Sequence, residues 1–288
     1  PFEYPTAGLG DYRESCLSIR TIGGYSGCNL SYVSHRILEG KPQLEGLPAT
    51  FADKETAATL ELTCVDNHIG MKVLLYYTAF CDTDVITRSV KIINEGTQAF
   101  YLTKVLSACL DMDNQDYEMI SLHGSWARER HIQRKKVGYG IQKVSSFRGE
   151  SSHQDHPFLA LVSPSTTQEM GEVYAMNFVY SGNFQAQAEV SQFDSIRMSM
   201  GIHPENFCWK LERGESFQAP EVVMVYSSQG LDGMTTAFHH LYKRHLIRGE
   251  YKDKKRPILI NNWEATYFNF TTEKLLSIAK EASGLGIE

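Results

Sequence analysis

Short runs of alternating apolar and polar residues, separated by turn residues, recur through residues 1–230 of this chain. Segments 59–64 and 197–200 alternate at a period of two, and longer apolar runs cover 71–80 and 221–226. A period of two is typical of half-buried β-strands, and continuous apolar runs fit strands inside a sandwich. No ten-residue helical stripe interrupts them. The pattern therefore predicts a mainly β fold with antiparallel strands.

Turn residues recur at short spacing through this β region. Gly23-Gly24, Asn94-Glu-Gly96, Ser181-Gly-Asn183 and Glu212-Arg-Gly214 separate the apolar runs. The region is too long for an immunoglobulin-like domain, and 42% hydrophobic content in 288 residues can bury a substantial core. We therefore predict a large double-sheet antiparallel β-sandwich, a supersandwich, over residues 1–232.

The hydrophobic period changes at Gly233. One helical face then carries Met234, Phe238, Leu241, Tyr242 and His245. This spacing predicts an amphipathic helix, which Gly249 ends, followed by a charged stretch up to residue 256. We assign residues 233–256 to a linker helix and linker between two domains.

Residues 257–288 predict one strand and one helix. The β-branched and Leu run 258–260 leads into polar and aromatic residues, and a helix follows with apolar positions at Leu275, Ile278, Ala279 and Ala282. A strand, a loop and a helix form the first half of a βαβ unit. Such a unit cannot bury its own surface alone. We therefore expect it to open an α/β domain whose remainder is missing from this chain.

Several blocks resemble α-galactosidases of glycoside hydrolase family 36, in that family's order and at plausible spacing. The blocks are EYPTAGLGDYR (3–13), SHRILEGKPQLEGLPATF (34–51), DVITRSVKIIN (84–94), HGSWARERH (123–131), RGESSHQDHPF (148–158), VYSGNF (179–184) and RPILINNWEATYF (256–268). A single short block would carry little weight, but together these blocks span almost the whole chain. The resemblance implies an N-terminal β-sandwich before a catalytic barrel.

The resemblance also implies a function for the parent protein. It would be a retaining exo-α-galactosidase that acts on melibiose- and raffinose-type oligosaccharides, and it would form a homo-oligomer. Two aspartates on later barrel strands would serve as nucleophile and as general acid/base, about 5 Å apart. Nothing in this sequence matches those blocks. We therefore expect this chain to contain no catalytic residue and to be inactive alone.

Trp263 is the one candidate substrate-binding residue. It follows the predicted strand 258–260, and active sites of (β/α)₈ barrels lie at the C-terminal ends of the strands. An aromatic face suits the C–H groups of a sugar ring. The resemblance implies that this Trp lines the pocket for the terminal galactose. Packing between barrel and sandwich is the alternative role, and the nearby Glu264 has no predicted partner carboxylate.

Other polar clusters are weaker candidates for chemistry. Ser151-Ser-His153-Gln-Asp155-His156 places Ser, His and Asp together, but a triad needs geometry rather than adjacency. We expect a loop there that contacts another subunit or the barrel mouth. The histidines fall into no HxxxH or HExxH spacing, so we expect no metal site and no cofactor.

Charge and cysteine content bear on the partners of the chain and on its cellular compartment. The net charge is −6, so no basic field draws the chain to nucleic acid, and no apolar stretch is long enough to span a membrane. The short basic cluster 128–136 predicts a solvated strand face or a subunit contact. Six scattered cysteines without paired spacing predict a reducing compartment, and we expect a cytoplasmic protein.

Two alternatives stay open. The chain could be a non-catalytic carbohydrate-binding or oligomerisation module of sandwich type, which would bind galactosides without a barrel. The parent could also prefer another sugar or acceptor, as an α-N-acetylgalactosaminidase or a galactosyl transferase does. The sequence beyond residue 288 would distinguish these last possibilities.

Overall fold

Strands dominate the computed structural model, which describes residues 2–288. The strands are β1 (Leu17–Thr21), β2 (Ser31–Glu39), β3 (Ala57–Asp66), β4 (Met71–Phe80), β5 (Val85–Asn94), β6 (Phe100–Asp113), β7 (Glu118–Ser125), β8 (Arg128–Lys136), β9 (Gly140–Ser146), β10 (Phe158–Val162), β11 (Val173–Val179), β12 (Phe184–Val190), β13 (Ser195–Ile202), β14 (Trp209–Leu211), β15 (Ser216–Gln218) and β16 (Glu221–Ser227). The helices are α1 (Gly230–His245), α2 (Trp263–Thr266) and α3 (Thr272–Gly284). A 3₁₀ turn covers Glu250–Lys252.

The strands form two antiparallel sheets. The smaller sheet has the order β1-β6-β13-β12, with β14 also on β6. The larger sheet has the order β2-β3-β4-β5-β16-β11-β10-β7-β8, with β15 also on β5. Strand β9 lies beside β12. The predicted alternating segments 59–64 and 197–200 fall within β3 and β13, and the mainly β antiparallel fold is confirmed.

The main core lies between the two sheets. In one cluster, Leu17 and Leu102 of the smaller sheet pack with Val73 and Ile92 of the larger. In a second cluster, strands β12 and β13 pack against β10 and β11. Interdigitation of two apolar inner faces is what defines a β-sandwich.

Helix α1 covers the outer face of the larger sheet. Its buried residues Met234, Phe238 and Leu241 pack with Ala160 and Val223. Because the helix covers this face, strands β10, β11 and β16 are buried on both sides, which explains why their sequences read as apolar runs. The predicted helix is confirmed, although it ends at His245 and not near Gly249.

Both ends of α1 are fixed by local contacts. Gly230 adopts φ +65°, and a Cβ there would lie 2.6 Å from the Gln168 carbonyl oxygen, so the position requires glycine. At the other end, the His245 ring lies 3.0 Å from the Phe51 carbonyl oxygen and 3.1 Å from the Asp82 carboxylate. The first compact unit ends directly after it, at Leu246.

The second compact unit is Ile247–Glu288. Its helix α3 begins after Thr271, whose hydroxyl accepts a hydrogen bond from the Lys274 amide at 3.3 Å. On the predicted apolar face, Ala282 is buried, Leu275 and Ile278 are half-buried, and Ala279 is exposed.

The predicted strand at 258–260 does not form among the described residues. No described strand pairs with this segment, although the Ile258 carbonyl accepts a hydrogen bond from the Glu288 amide at 3.2 Å. A β-strand is stabilised by hydrogen bonds to a neighbouring strand, so a single strand of a parallel sheet has nothing to pair with. The prediction of a strand here is wrong for residues 2–288.

Candidate functional site

Trp263 is the first residue of the short helix α2 and is held by its neighbours. Its backbone amide donates to the Asn261 side-chain oxygen at 2.8 Å. The Asn262 side chain donates to the Thr266 hydroxyl at 3.0 Å, and Thr266 is buried. The sequence Asn-Asn-Trp-Glu-Ala-Thr therefore folds into a hydrogen-bonded turn that fixes the direction of the Trp263 side chain.

Two further aromatic rings meet the Trp263 indole edge-on. The ring centroids of Trp263 and Tyr267 are 5.4 Å apart at 74°, and those of Trp263 and Phe268 are 4.9 Å apart at 89°. Edge-to-face packing of this kind is favourable. Because Trp263 is 45% exposed, this aromatic cluster presents an apolar surface that a sugar ring could cover.

Glu264 contributes to the same cluster. Its carboxylate accepts a hydrogen bond from the Tyr267 hydroxyl at 3.1 Å. Tyr267 takes φ +46°, an unusual value for a residue with a side chain, and it ends α2. The Glu264 contact therefore helps to hold Tyr267 in this strained position.

A Ser–His–Asp chain of hydrogen bonds forms at the end of β7, which the sequence did not predict. The Ser121 hydroxyl lies 2.7 Å from His123 Nε2, and His123 Nδ1 lies 2.7 Å from Asp155. The connectivity is that of a hydrolytic triad. Ser121, however, is fully buried, so no substrate can reach its hydroxyl. The chain of hydrogen bonds is a structural element.

These hydrogen bonds attach the loop 151–157 to β7. The His156 amide donates to the Leu122 carbonyl at 3.1 Å, and the Gly124 amide donates to the Gln154 carbonyl at 3.1 Å. Burial, together with the nearby Arg130 cation, lowers the pKa of His156. Of the Ser, His and Asp side chains in the predicted cluster 151–156, only Asp155 is hydrogen-bonded to His123. The spacing of 32 residues between them left no sequence signal.

The β7–β8 hairpin, to which this loop is attached, projects an exposed tryptophan. Trp126 at its tip is 83% exposed. The turn is tight, since a Cβ on Gly124 would lie 2.2 Å from the Arg128 carbonyl oxygen. Strand β8 is exposed along its whole length at the edge of the larger sheet, which fits the predicted solvated face or subunit contact.

Across residues 2–288, no three His, Cys, Asp or Glu side chains come together in a way that could hold a metal ion. Within the same described range, no helix is both long enough and apolar enough to cross a membrane.

Comparison with known families matches the chain in two adjacent parts. Residues 1–212 match the glycosyl hydrolase family 36 N-terminal domain. Residues 216–288 match the melibiase family. Only residues 213–215 lie between the two matched segments.

Curated α-galactosidases contain a segment that is similar to this chain over almost its whole length. The chain is 50% identical over 287 residues to α-galactosidase AgaA of Geobacillus stearothermophilus, covering 99% of this chain and 39% of the relative. It is 45% identical over 289 residues to α-galactosidase 1 of Pediococcus pentosaceus, covering 100% of this chain and 39% of the relative. The chain thus spans about two-fifths of the length of these curated relatives.

Solved structures give the same similarity. An AgaA variant from Geobacillus stearothermophilus, crystallised with raffinose, superposes with a TM-score of 0.97 at 49% identity. The superposition covers 99% of this chain and 40% of that chain.

Proposed function

Because this chain belongs to glycosyl hydrolase family 36, we propose that it is the N-terminal portion of a retaining exo-α-galactosidase. Its substrates would be oligosaccharides of the melibiose and raffinose type, from which it removes terminal α-D-galactosyl residues. The observation that carries the proposal is the pair of adjacent matches, to the family's N-terminal domain over 1–212 and to melibiase over 216–288. The raffinose complex of a relative supports the substrate class.

The chemistry would be a double displacement by two aspartates that lie beyond this chain. In a retaining glycosidase, one carboxylate attacks the anomeric carbon while the other protonates the leaving oxygen, and water then hydrolyses the glycosyl-enzyme. No residue of this chain would take either role. Glu264 is hydrogen-bonded to Tyr267, and that contact fits a supporting part rather than a catalytic one.

Trp263 would line the pocket for the terminal galactose. The half-open indole and the two rings packed edge-on against it offer an apolar wall, on which the C–H groups of the sugar can pack. The hydroxyls of the sugar would then point toward polar groups from other parts of the barrel. The Asn-Asn turn before Trp263 would position the indole before substrate binds.

Residues 257–288 would be the first βα unit of the catalytic barrel, after a sandwich over 1–232 and a linker over 233–256. Their exposed apolar surface supports this assignment. Ile258 is 59% exposed, Leu259 83% and Ile260 48%. A contiguous run of exposed aliphatic side chains marks a surface that another element covers, and adjacent barrel strands would do so.

We further propose a cytoplasmic homo-oligomer that binds neither nucleic acid nor membrane. The exposed strand β8 and the Trp126 hairpin would supply a subunit contact, because an uncovered edge strand pairs readily and a projecting Trp is typical of interface anchors. The cytoplasmic location is supported by the six scattered cysteines of the sequence.

Expression of the parent gene tests the proposal. The full-length protein should release galactose from raffinose and melibiose, whereas the 288-residue chain should release none under the same conditions. Hydrolysis by the 288-residue chain would place the catalytic groups within it and refute this assignment. A full-length protein that binds galactosides without cleaving them would favour the non-catalytic module.

A further inference from the structure

A second aromatic crevice lies in the sandwich unit, formed by the loop after β2 together with strands β5, β14 and β15. Its volume is about 460 Å³, within the range of small-molecule sites. Its lining combines aromatic and aliphatic side chains with polar ones. All of its lining residues belong to the first compact unit, so its existence does not depend on the barrel.

Trp209 is an exposed aromatic residue of this lining, and its ring packs on a second aromatic ring. Trp209 is 51% exposed, and its ring centroid lies 5.4 Å from that of the buried Phe217 at 57°. Phe217 in turn packs on Phe207, with centroids 5.6 Å apart. An exposed indole that packs on Phe217, which packs in turn on Phe207, is a preorganised surface, so a ligand that covers it needs little ordering of the protein.

The polar residues of the lining present both hydrogen-bond donors and hydrogen-bond acceptors. The Gln218 amide nitrogen donates to the Val90 carbonyl at 3.1 Å and to the Ala219 carbonyl at 3.0 Å, so its side chain is fixed. Its amide oxygen accepts no hydrogen bond within residues 2–288. Lys91 and Glu45 also belong to the lining, and Lys91 forms no ion pair in that described range.

The charge balance of this crevice narrows the class of ligand. One lysine and one glutamate leave no net charge, so neither a phosphate nor a cation is favoured. The lining is too polar for a purely apolar ligand. An exposed indole together with neighbouring donors and acceptors fits a neutral pyranose, which has C–H groups on one face and hydroxyls around its rim.

We propose that this Trp209 crevice is a non-catalytic binding site for neutral oligosaccharides, separate from the Trp263 cluster. It would hold one sugar ring on the sandwich while another molecule is processed by the barrel. The site needs no catalytic residue, and it stands whether or not the proposed function is correct.

The chain offers a direct test because it contains three tryptophans, Trp126, Trp209 and Trp263. The indole N–H signals of the 288-residue chain can be followed by NMR while raffinose is added, and each signal can be assigned from a single Trp→Phe variant. The Trp209 signal should shift saturably, with Kd on the order of 1 mM. The Trp126 signal should stay in place, and any movement of the Trp263 signal reports the proposed galactose pocket independently.

Variants then separate sugar binding from folding. Trp209→Ala should weaken raffinose binding at this site by about tenfold or more, and Trp126→Ala should leave it unchanged. If circular dichroism shows that Trp209→Ala fails to fold, Lys91→Met serves instead and should weaken binding several-fold with the fold intact. A Trp209 signal that does not move up to saturating raffinose would overturn the proposal. So would equal binding by the wild type, W209A and K91M.

Discussion

The guanidinium of Arg197 donates to both carboxylate oxygens of Asp111, at 2.7 and 2.8 Å, and the Arg197 side chain is fully buried. The same guanidinium reaches Asp11 at 2.8 Å, and Arg13 reaches Asp111 at 3.0 Å. Two arginines and two aspartates thus tie the N-terminal turn to the centre of the smaller sheet. A fully paired buried network of this kind fixes one arrangement of the elements that it joins.

Breaking this network should destabilise the sandwich strongly. Arg197→Met removes the shared cation and leaves the Asp111 carboxylate without its bidentate partner, so we expect a loss of about 3–5 kcal/mol in the free energy of unfolding. Urea denaturation measures it. Arg148→Met is the matched control, because Arg148 is exposed, and its urea midpoint should barely move. Equal midpoints for the two variants would refute the role given to Arg197.

Acid should weaken the same network in a defined pH window. Burial opposes the ionisation of Asp11, but hydrogen bonds from Arg13 and Arg197 outweigh it and lower the pKa to about 2, from an ordinary value of 3.8. The stabilisation is therefore fully present above about pH 4 and is lost as the pH falls toward 2, about 2 kcal/mol in all.

Asp11→Asn isolates this contribution. The difference in unfolding free energy between wild type and D11N should be largest at neutral pH and should shrink between pH 4 and pH 2. A difference that stays constant over that range would show that the Asp11 charge contributes nothing.

Helix α1 should be part of the sandwich core. Leu241 is fully buried against the larger sheet, so Leu241→Ala should cost about 2–5 kcal/mol in unfolding free energy. Leu276→Ala on α3 is the control, because Leu276 is 65% exposed and the same truncation creates no cavity there. Denaturant unfolding followed by circular dichroism distinguishes them, and a negligible effect of L241A would mean that α1 is only loosely attached.

The Ser121–His123–Asp155 chain should have no hydrolytic activity. A fluorophosphonate, which labels activated serines, should not react with Ser121, because the hydroxyl is fully buried. His123→Ala should instead speed amide exchange in loop 151–157, since it removes the contact to Asp155. Labelling that disappears in Ser121→Ala would contradict the structural role.

Much of the fold could be predicted because it is encoded locally. The period of two in 59–64 identified β3, and the face of Met234, Phe238 and Leu241 identified α1. Whether residues 258–260 form a strand could not be predicted from the segment itself, because a strand needs hydrogen bonds to a partner strand.

The candidate sites were only partly predictable. Trp263 was singled out by its place after an apolar run and, above all, by the family resemblance of its block, and the two asparagines before it form the hydrogen bonds of its turn. The Trp209 crevice and the His123–Asp155 contact join residues that are distant in the chain, so no short sequence pattern predicts them. The buried Arg197 was equally hidden, because arginine in an alternating strand ordinarily predicts a solvent-facing position.

The most direct test of the proposed function is the anomeric configuration of the galactose first released from raffinose by the full-length native protein. Proton NMR during the first minutes of hydrolysis reports it before mutarotation mixes the anomers. A retaining exo-α-galactosidase should release α-galactose first. The appearance of β-galactose first, or the absence of any released galactose, would contradict the account.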